Sequence, residues 1–289
     1  MASQPRQGAT ARAEIERFAD DMAKELRLLD SPLPKDVDFN DEEMDTIQSR
    51  LNAMWHPNLP SSFTDPLYIA FSAKYLPALA ASLRALSLDT QRNAFSTLVQ
   101  VLSLLPAERD PYARRFFASQ QFAGVPTLLA RAFVRGIAWL RPSGAGALCD
   151  LFYHMLIWGD PAGGDDAQTC IDKDARVALA STVKEIPTSE GFARLDEKQR
   201  RQVKQLAVAL MMLNGEGGVR VVADNWIQAQ RGLHESSVRG ILECAVCLED
   251  EELFFCSKCK TVKYCSKECQ LKAWKGKEGH KFQCYDTAY

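Results

Sequence analysis

The spacing of apolar residues along most of the chain predicts one helix after another. Apolar side chains recur at steps of three and four residues, which places them on one face of a helix. The first such set is Ile15, Phe18, Met22, Leu26 and Leu29. Because no stretch alternates apolar and polar residues cleanly, strands do not compete with this assignment. The pattern therefore predicts a mainly α-helical domain over residues 13–231.

Proline and glycine separate the predicted helices. Pro66 and Pro77 each stand where a helix could start, because the first turn does not need the donor that proline lacks. Later apolar-periodic windows cover residues 109–121, 125–140, 144–158, 174–186, 196–213 and 219–231. Helices joined by short loops pack on one another, as a multi-helix bundle or an armadillo-like stack. Since no repeat of fixed period is found, both architectures stay open.

Composition and net charge argue against some classes of binding partner. The chain is 46% hydrophobic and 25% charged, which is ordinary for a soluble globular protein, and its net charge is −2. Neither nucleic acid nor an anionic membrane is therefore the default partner. Residues 1–12 are small and polar, so we predict a disordered N-terminus without a secretory signal. No apolar run reaches the length of a membrane span, and we expect an intracellular protein, in the nucleus, the cytoplasm or both.

The candidate metal-binding residues lie in the C-terminal part of the chain. Seven of the nine cysteines and one histidine fall there in four close pairs. The pairs are Cys244 with Cys247, Cys256 with Cys259, Cys265 with Cys269, and His280 with Cys284. A structural zinc ion takes four Cys or His ligands, and pairs two or three residues apart let one turn of backbone supply two of them. Eight ligands therefore predict two zinc ions per chain, but the spacing does not say whether the pairs combine sequentially or crosswise.

Zinc also explains how so short a segment can fold. About forty residues bury too little apolar surface to be stable alone, and a reducing compartment disfavours disulfides as the alternative. Both predicted sites are closed by four protein ligands, so neither leaves a position for a reactive water. The sequence also lacks a phosphate-binding loop and a nucleophile elbow. We therefore predict that the protein is not an enzyme.

The run from Cys259 to Gln270, followed by Trp274 and by His280-x3-Cys284, resembles a MYND-type zinc finger. A RING-type finger also binds two zinc ions, but it places a histidine in the second or third ligand pair. In the MYND family the ligands are cross-braced. The resemblance thus implies one site of Cys244, Cys247, Cys265 and Cys269, and another of Cys256, Cys259, His280 and Cys284. It also implies a finger over residues 244–284. Ser236, Ser237 and Gly240 predict a linker at 232–243, and residues 285–289 are expected to form a tail.

The resemblance further implies that the protein is an adaptor or scaffold. MYND-like fingers dock short extended peptides, often proline-rich, and such a peptide can pair with a strand edge. The candidate edge runs from Lys260 through Val262 to Tyr264, and Gln270 with Trp274 forms the candidate pocket wall. Alternatively, Tyr264 and Trp274 fill the core of the finger. Lysines and acidic residues balance within the finger, which argues against direct nucleic-acid binding.

Three other functions stay open. The protein could be an adaptor for a ubiquitin ligase or a corepressor-like transcriptional scaffold. It could also be related to the SET-type lysine methyltransferases that carry an inserted MYND finger. The last is the least favoured, because the preceding residues lack the strand-rich pattern of such an enzyme.

Overall fold

The computed structural model describes residues 4–29, 33–54, 61–106, 109–136, 144–215, 223–235, 243–276, 279–287 and 289. Helices dominate these residues, and a small C-terminal unit holds a two-stranded sheet. The predicted mainly α-helical fold with a cross-braced C-terminal finger is confirmed.

The helices that precede the finger follow one another along the chain. They are α1 (Gln4–Glu25), α2 (Asp41–Met54), α3 (Ser61–Ala85), α4 (Arg92–Leu104), α5 (Pro111–Phe117), α6 (Val125–Val134), α7 (Gly144–Trp158), α8 (Lys173–Glu185), α9 (Glu190–Ala193), α10 (Glu197–Leu213) and α11 (Ala223–Glu235). Short 3-10 turns lie at Gln120–Phe122, Pro161–Gly163 and Ile186–Thr188. We call this part of the protein the helical region.

Helix α7 is the centre of the helical region. Almost all of its side chains are buried, polar His154 included, as expected of a helix that is covered on every side. It packs against α4 on one side and α10 on another, with α11 and α5 also in contact. Helices two and three apart in order are thus neighbours, a packing common to a multi-helix bundle and an armadillo-like stack.

Two of the sequence predictions differ from the structure near the N-terminus. Helix α1 begins at Gln4, so most of the segment predicted to be disordered is helical. Helix α3 runs through Pro66 and Pro77 without a break. An interior proline costs a backbone hydrogen bond, but the apolar side chains around both prolines are buried, and tertiary packing outweighs the local penalty.

At its other end the helical region continues beyond the predicted limit. Helix α11 extends to Glu235, into the predicted linker 232–243, most of whose remaining residues lie outside the described ranges. None of the helices in the described ranges is both long and apolar enough to cross a membrane.

The finger contains two short strands and one helix. Strand β1 (Phe254–Phe255) pairs antiparallel with β2 (Lys263–Tyr264), with Phe254 opposite Tyr264. Helix α12 (Lys267–Lys275) follows, and a 3-10 turn at His280–Phe282 leads into the last ligand.

Of the predicted tail 285–289, the described residues 285–287 and 289 pack between the finger and the helical region. Tyr285 is buried, and its backbone N–H donates to Tyr112 Oη at 3.0 Å. Tyr289 Oη donates to the carbonyl of Ser72 at 3.1 Å, and the Tyr289 ring lies edge-on to Phe116 at 4.9 Å. These contacts bury aromatic surface on both sides, so the segment joins the two parts of the protein.

Asp110 caps the helix that carries many of these contacts. Its Oδ1 accepts from the backbone N–H of Tyr112 at 2.9 Å and of Ala113 at 3.1 Å, at the N-terminus of α5. The carboxyl is fully buried, and this loss of hydration raises its pKa from 3.8 to about 6.

Replacing Asp110 by Asn should stabilise the protein at neutral pH. Since the folded pKa of Asp110 lies above the unfolded value, folding favours the protonated carboxyl. Its contribution to stability is therefore present below about pH 4 and is lost as the pH rises through about 6. Asn keeps the capping oxygen without the charge, so we expect a gain of up to about 3 kcal/mol near pH 7.

Urea denaturation across this pH range, followed by helical circular dichroism, measures the effect. The difference between Asp110→Asn and the wild type should vanish towards about pH 4. A variant that is less stable at every pH would contradict this account of Asp110.

Candidate metal centre

The finger brings its eight candidate ligands into two groups of four. The first metal site comprises Cys244, Cys247, Cys265 and Cys269, and the second metal site comprises Cys256, Cys259, His280 and Cys284. Within each site the ligand atoms all lie within 4.8 Å of one another. The crossed pairing implied by the resemblance is confirmed.

The distances within each group fit a tetrahedral zinc ion. In the first metal site, Cys247 Sγ lies 3.3 Å from Cys265 Sγ and 3.8 Å from Cys269 Sγ. In the second, Cys256 Sγ and Cys284 Sγ are 3.7 Å apart, and Cys259 Sγ lies 3.4 Å from His280 Nε2. Zn–S bonds of about 2.3 Å in a tetrahedron separate neighbouring sulfurs by about 3.8 Å. Two zinc ions per chain are therefore the cofactors of this finger.

Both Cys-x2-Cys pairs adopt the same turn. Leu248 N–H donates to the carbonyl of Cys244 at 3.1 Å, and Lys260 N–H donates to that of Cys256 at 2.8 Å. The residue after the second cysteine has a positive φ in each case, 69° at Leu248 and 51° at Lys260. This left-handed residue closes the turn, so that both sulfurs of a pair point at one ion.

The other two pairs are placed by helical turns. Ser266 caps α12 by accepting from the backbone N–H of Cys269, which puts Cys269 in the first turn, close to Cys265. Beyond α12 the chain turns back at Gly279, where a Cβ would lie 2.6 Å from the carbonyl oxygen of Ala273. Only glycine fits this close approach, and it delivers His280 to the second metal site.

Within the second metal site, the pKa of one thiol is lowered. Hydrogen bonds from Cys284 and His280 lower the pKa of the Cys259 thiol to about 3. The same contact with Cys259 raises the pKa of Cys284. One thiolate thus forms readily, and a bound cation would favour ionisation of the others.

The predicted peptide-binding residues lie in different environments. Lys260 is exposed, Gln270 is half-buried, and the Trp274 side chain is 39% exposed. Val262 is buried, and Tyr264 has no exposed surface. Tyr264 therefore belongs to the core of the finger, where its ring lies 6.1 Å from that of His280, and it cannot touch a peptide directly.

The predicted strand edge is also partly occupied. The carbonyl of Lys263 accepts from Ala245 N–H at 3.1 Å, so the first cysteine pair covers that side of β2. Thr261 is buried, and its Oγ1 accepts from Arg115 of the helical region at 3.0 Å. The segment from Lys260 to Tyr264 thus faces other parts of the protein more than solvent.

Among the described residues, side chains of the helical region donate hydrogen bonds to the backbone of the finger, and the sequence analysis did not predict these contacts. Arg12 of α1 donates to the carbonyl of Cys284 at 2.8 Å, and Arg115 of α5 donates to that of Cys259 at 3.0 Å. Tyr112 Oη donates to the carbonyl of Gln283 at 2.8 Å. Nothing in the local sequence marks these residues. The alternation of Tyr285, Thr287 and Tyr289 could have indicated an extended segment with one packed face.

Comparison with known proteins bears on the finger alone. The family model described as "MYND finger" matches residues 244–284. "Ubiquitin carboxyl-terminal hydrolase 17" of Arabidopsis thaliana is 43% identical over 53 residues, which are 18% of this chain and 7% of that protein. The chain thus spans a small part of the length of this relative. No solved structure matches the chain. Residues 244–284 are therefore a MYND-type zinc finger, a zinc-dependent protein-interaction module joined here to a helical region.

Proposed function

We propose that the protein is a non-enzymatic adaptor whose finger docks a short extended segment of a partner protein. The observation that carries this proposal is the exposure of large apolar side chains on the finger. They are Leu248, Phe254, Phe255, Leu271 and Trp274. A domain of this size has few apolar residues to spare from its core, and apolar surface of this kind is typical of protein-interaction sites.

Helix α12 supplies the wall of the proposed pocket. Gln270 and Trp274 are four residues apart and therefore lie on one face of the helix. Gln270 can hydrogen bond to a peptide backbone, and Trp274 offers a broad apolar ring, the kind of side chain that anchors many interfaces. A proline-rich peptide suits such a surface, because it is extended before it binds and loses little conformational entropy.

The strand edge in this proposal is that of β1. In an antiparallel pair, alternate residues turn their backbone groups away from the partner strand. Cys256 N–H donates to the carbonyl of Val262 at 2.8 Å, so the backbone groups of Phe255 point outward. An extended peptide can pair there, beside the exposed ring of Phe255.

A binding experiment with the zinc-loaded full chain tests this function. We expect members of an array of short peptides that combine prolines with apolar residues to bind the protein. Trp274→Ala should weaken this binding by about 2 kcal/mol, about thirtyfold, and Gln270→Ala by about 1 kcal/mol. Fluorescence anisotropy measures the affinities.

Lys272→Ala provides the matched control on the same helix, because Lys272 is exposed and lies outside the proposed pocket face. Zinc content must be measured in each variant, since the ring of Trp274 lies 6.2 Å from that of His280. Unchanged peptide affinity in Trp274→Ala with both zinc ions retained would remove the pocket.

The similarity of the finger to part of a protein named as a ubiquitin hydrolase favours a second candidate, an adaptor in ubiquitin transfer. This function would require the full chain to recruit a ubiquitin-handling enzyme. An in vitro ubiquitination assay with and without the protein distinguishes it from the first proposal.

A further inference from the structure

The two metal sites differ in their relation to the helical region. We propose that Arg12 and Arg115 are positioning residues for the second zinc ion, so that the helical region helps to set how tightly this ion is held. The first zinc ion depends on the finger alone. This inference rests on the metal sites and does not require the proposed peptide docking.

Hydrogen bonds from the two arginines fix the backbone of two ligands. Arg12 Nη2 donates to the carbonyl of Cys284 at 2.8 Å, and Arg12 Nη1 donates to that of Lys281 at 2.5 Å. Arg115 Nη1 donates to the carbonyl of Cys259 at 3.0 Å. Groups that orient metal ligands from outside the coordination sphere tune metal affinity, and removing one typically costs 10- to 100-fold.

The net charge of the second metal site is a second reason to expect that the two arginines strengthen zinc binding there. Three thiolates and one neutral histidine around Zn²⁺ leave a net negative charge. Two guanidinium groups lie against the backbone of this cluster, and Arg cations remain charged at any pH at which zinc binds. The positive charge of Arg115 offsets part of this negative charge, and that of Arg12 is shared with Glu16, with which it pairs at 2.8 Å.

Burial distinguishes the second site from the first. The second site has three buried ligands and one half-buried one, His280, whereas in the first site Cys244 alone is buried, Cys247 is exposed, and Cys265 and Cys269 are half-buried. Within the described residues, no hydrogen bond joins the ligands of the first site to the helical region. A chelator can therefore approach the first site more readily.

By thermodynamic linkage, zinc binding at the second site and docking of the finger on the helical region must strengthen each other. If the helical region strengthens zinc binding at the second site, zinc at that site must strengthen docking of the finger on the helices by the same factor. Tyr112, Tyr285 and Tyr289 lie in the contact surface through which this coupling would act.

Cobalt(II) tests the proposal, because its visible spectrum differs between four-sulfur and three-sulfur, one-nitrogen sites. The cobalt-loaded full chain is titrated with EDTA while both spectra are followed. We expect the four-sulfur signal of the first site to be lost first. In the double variant Arg12→Gln, Arg115→Gln, the dissociation constant of the second site should rise about 10- to 100-fold, with that of the first site unchanged while the second ion is bound.

Two control variants separate positioning from general destabilisation. Arg84→Gln removes hydrogen bonds from an arginine to the Gln121 and Ala123 carbonyls within the helical region without touching a ligand, and should leave both sites unchanged. Arg115→Lys retains the charge but not the forked geometry, and should weaken the second site by less than Arg115→Gln does. Helical circular dichroism checks the fold of each variant.

Three outcomes would overturn the proposal. They are release of the second ion before the first in the wild type, an unchanged second site in the double variant, and equal weakening of both sites in that variant. In the last case the arginines would act only on the stability of the finger as a whole.

Discussion

Replacing Cys256 by Ser should abolish the fold of the finger while most of the helical signal persists. Structural zinc sites contribute about 10–16 kcal/mol in small finger peptides, far more than this finger gains from its apolar core. Because the two sites are cross-braced, the segment that carries Cys256 and Cys259 lies between ligands of the first site. Loss of the second ion should therefore weaken the first site as well.

Zinc content by elemental analysis, together with circular dichroism, checks this expectation. The helical signal should remain at low temperature, but thermal unfolding should begin earlier, since the packing of Tyr285 on Tyr112 is lost with the finger. Cys170→Ser is the matched control, because Cys170 is a buried thiol that donates to the carbonyl of Met155 and is no metal ligand. Two zinc ions retained in Cys256→Ser would refute the assignment.

Arg176→Ala should cause the next largest loss, about 3–5 kcal/mol of unfolding free energy. The Arg176 residue is only 2% exposed, and its guanidinium pairs with Asp166 at 2.7 Å. It also donates to Asn214 Oδ1 and to Thr169 Oγ1, both at 3.0 Å, and so ties the loop before α8 to the end of α10. Removing it leaves the half-buried carboxylate of Asp166 without its paired cation and Asn214 Oδ1 without its donor.

Urea denaturation at neutral pH measures this loss, and Arg131→Ala supplies the comparison. Arg131 also faces two carboxylates, those of Asp172 and Asp174 at 3.4 Å, but its side chain is 55% exposed. An exposed pair contributes less than about 1 kcal/mol. Equal losses in the two variants would show that burial does not decide the strength of the Arg176 network.

Acid should also weaken this network. Hydrogen bonds from Arg176 lower the pKa of Asp166 below its ordinary value. The stabilisation is therefore present above the unfolded pKa and is lost as the pH falls through the folded one. The sign is opposite to that at Asp110, where burial without a cation as partner raises the pKa.

The sequence was most informative where a single physical requirement dominates. The eight ligands were predictable because zinc demands particular side chains at close spacing. Helix α7 was predicted at residues 144–158, its observed limits, since the sequence has breaks at Pro142 and Pro161 on either side of it. Helix α10 was predicted one residue early, at Asp196, which is its cap.

Features that depend on distant parts of the chain were not predictable. Pro77 would break an isolated helix, and only burial against neighbouring elements carries α3 past it. Trp274 and Tyr264 were equally plausible as pocket or core, and the fold places Tyr264 in the core. Arg12 falls in a small, polar segment that is typical of a frayed end, and its partner Cys284 is 272 residues away, so the local sequence gives no sign of this contact.

This separation has a consequence for synthesis on the ribosome. At about 5–20 residues per second, roughly 14–54 seconds pass between the appearance of Arg12 and that of Cys284. During that time the first helix is present without the last segment that covers it. The apolar surface around Tyr112 and Phe116 also stays exposed to solvent until Tyr285 and Tyr289 are synthesised and cover it. A nascent chain stalled before the finger should therefore be the form of this protein most exposed to chaperones.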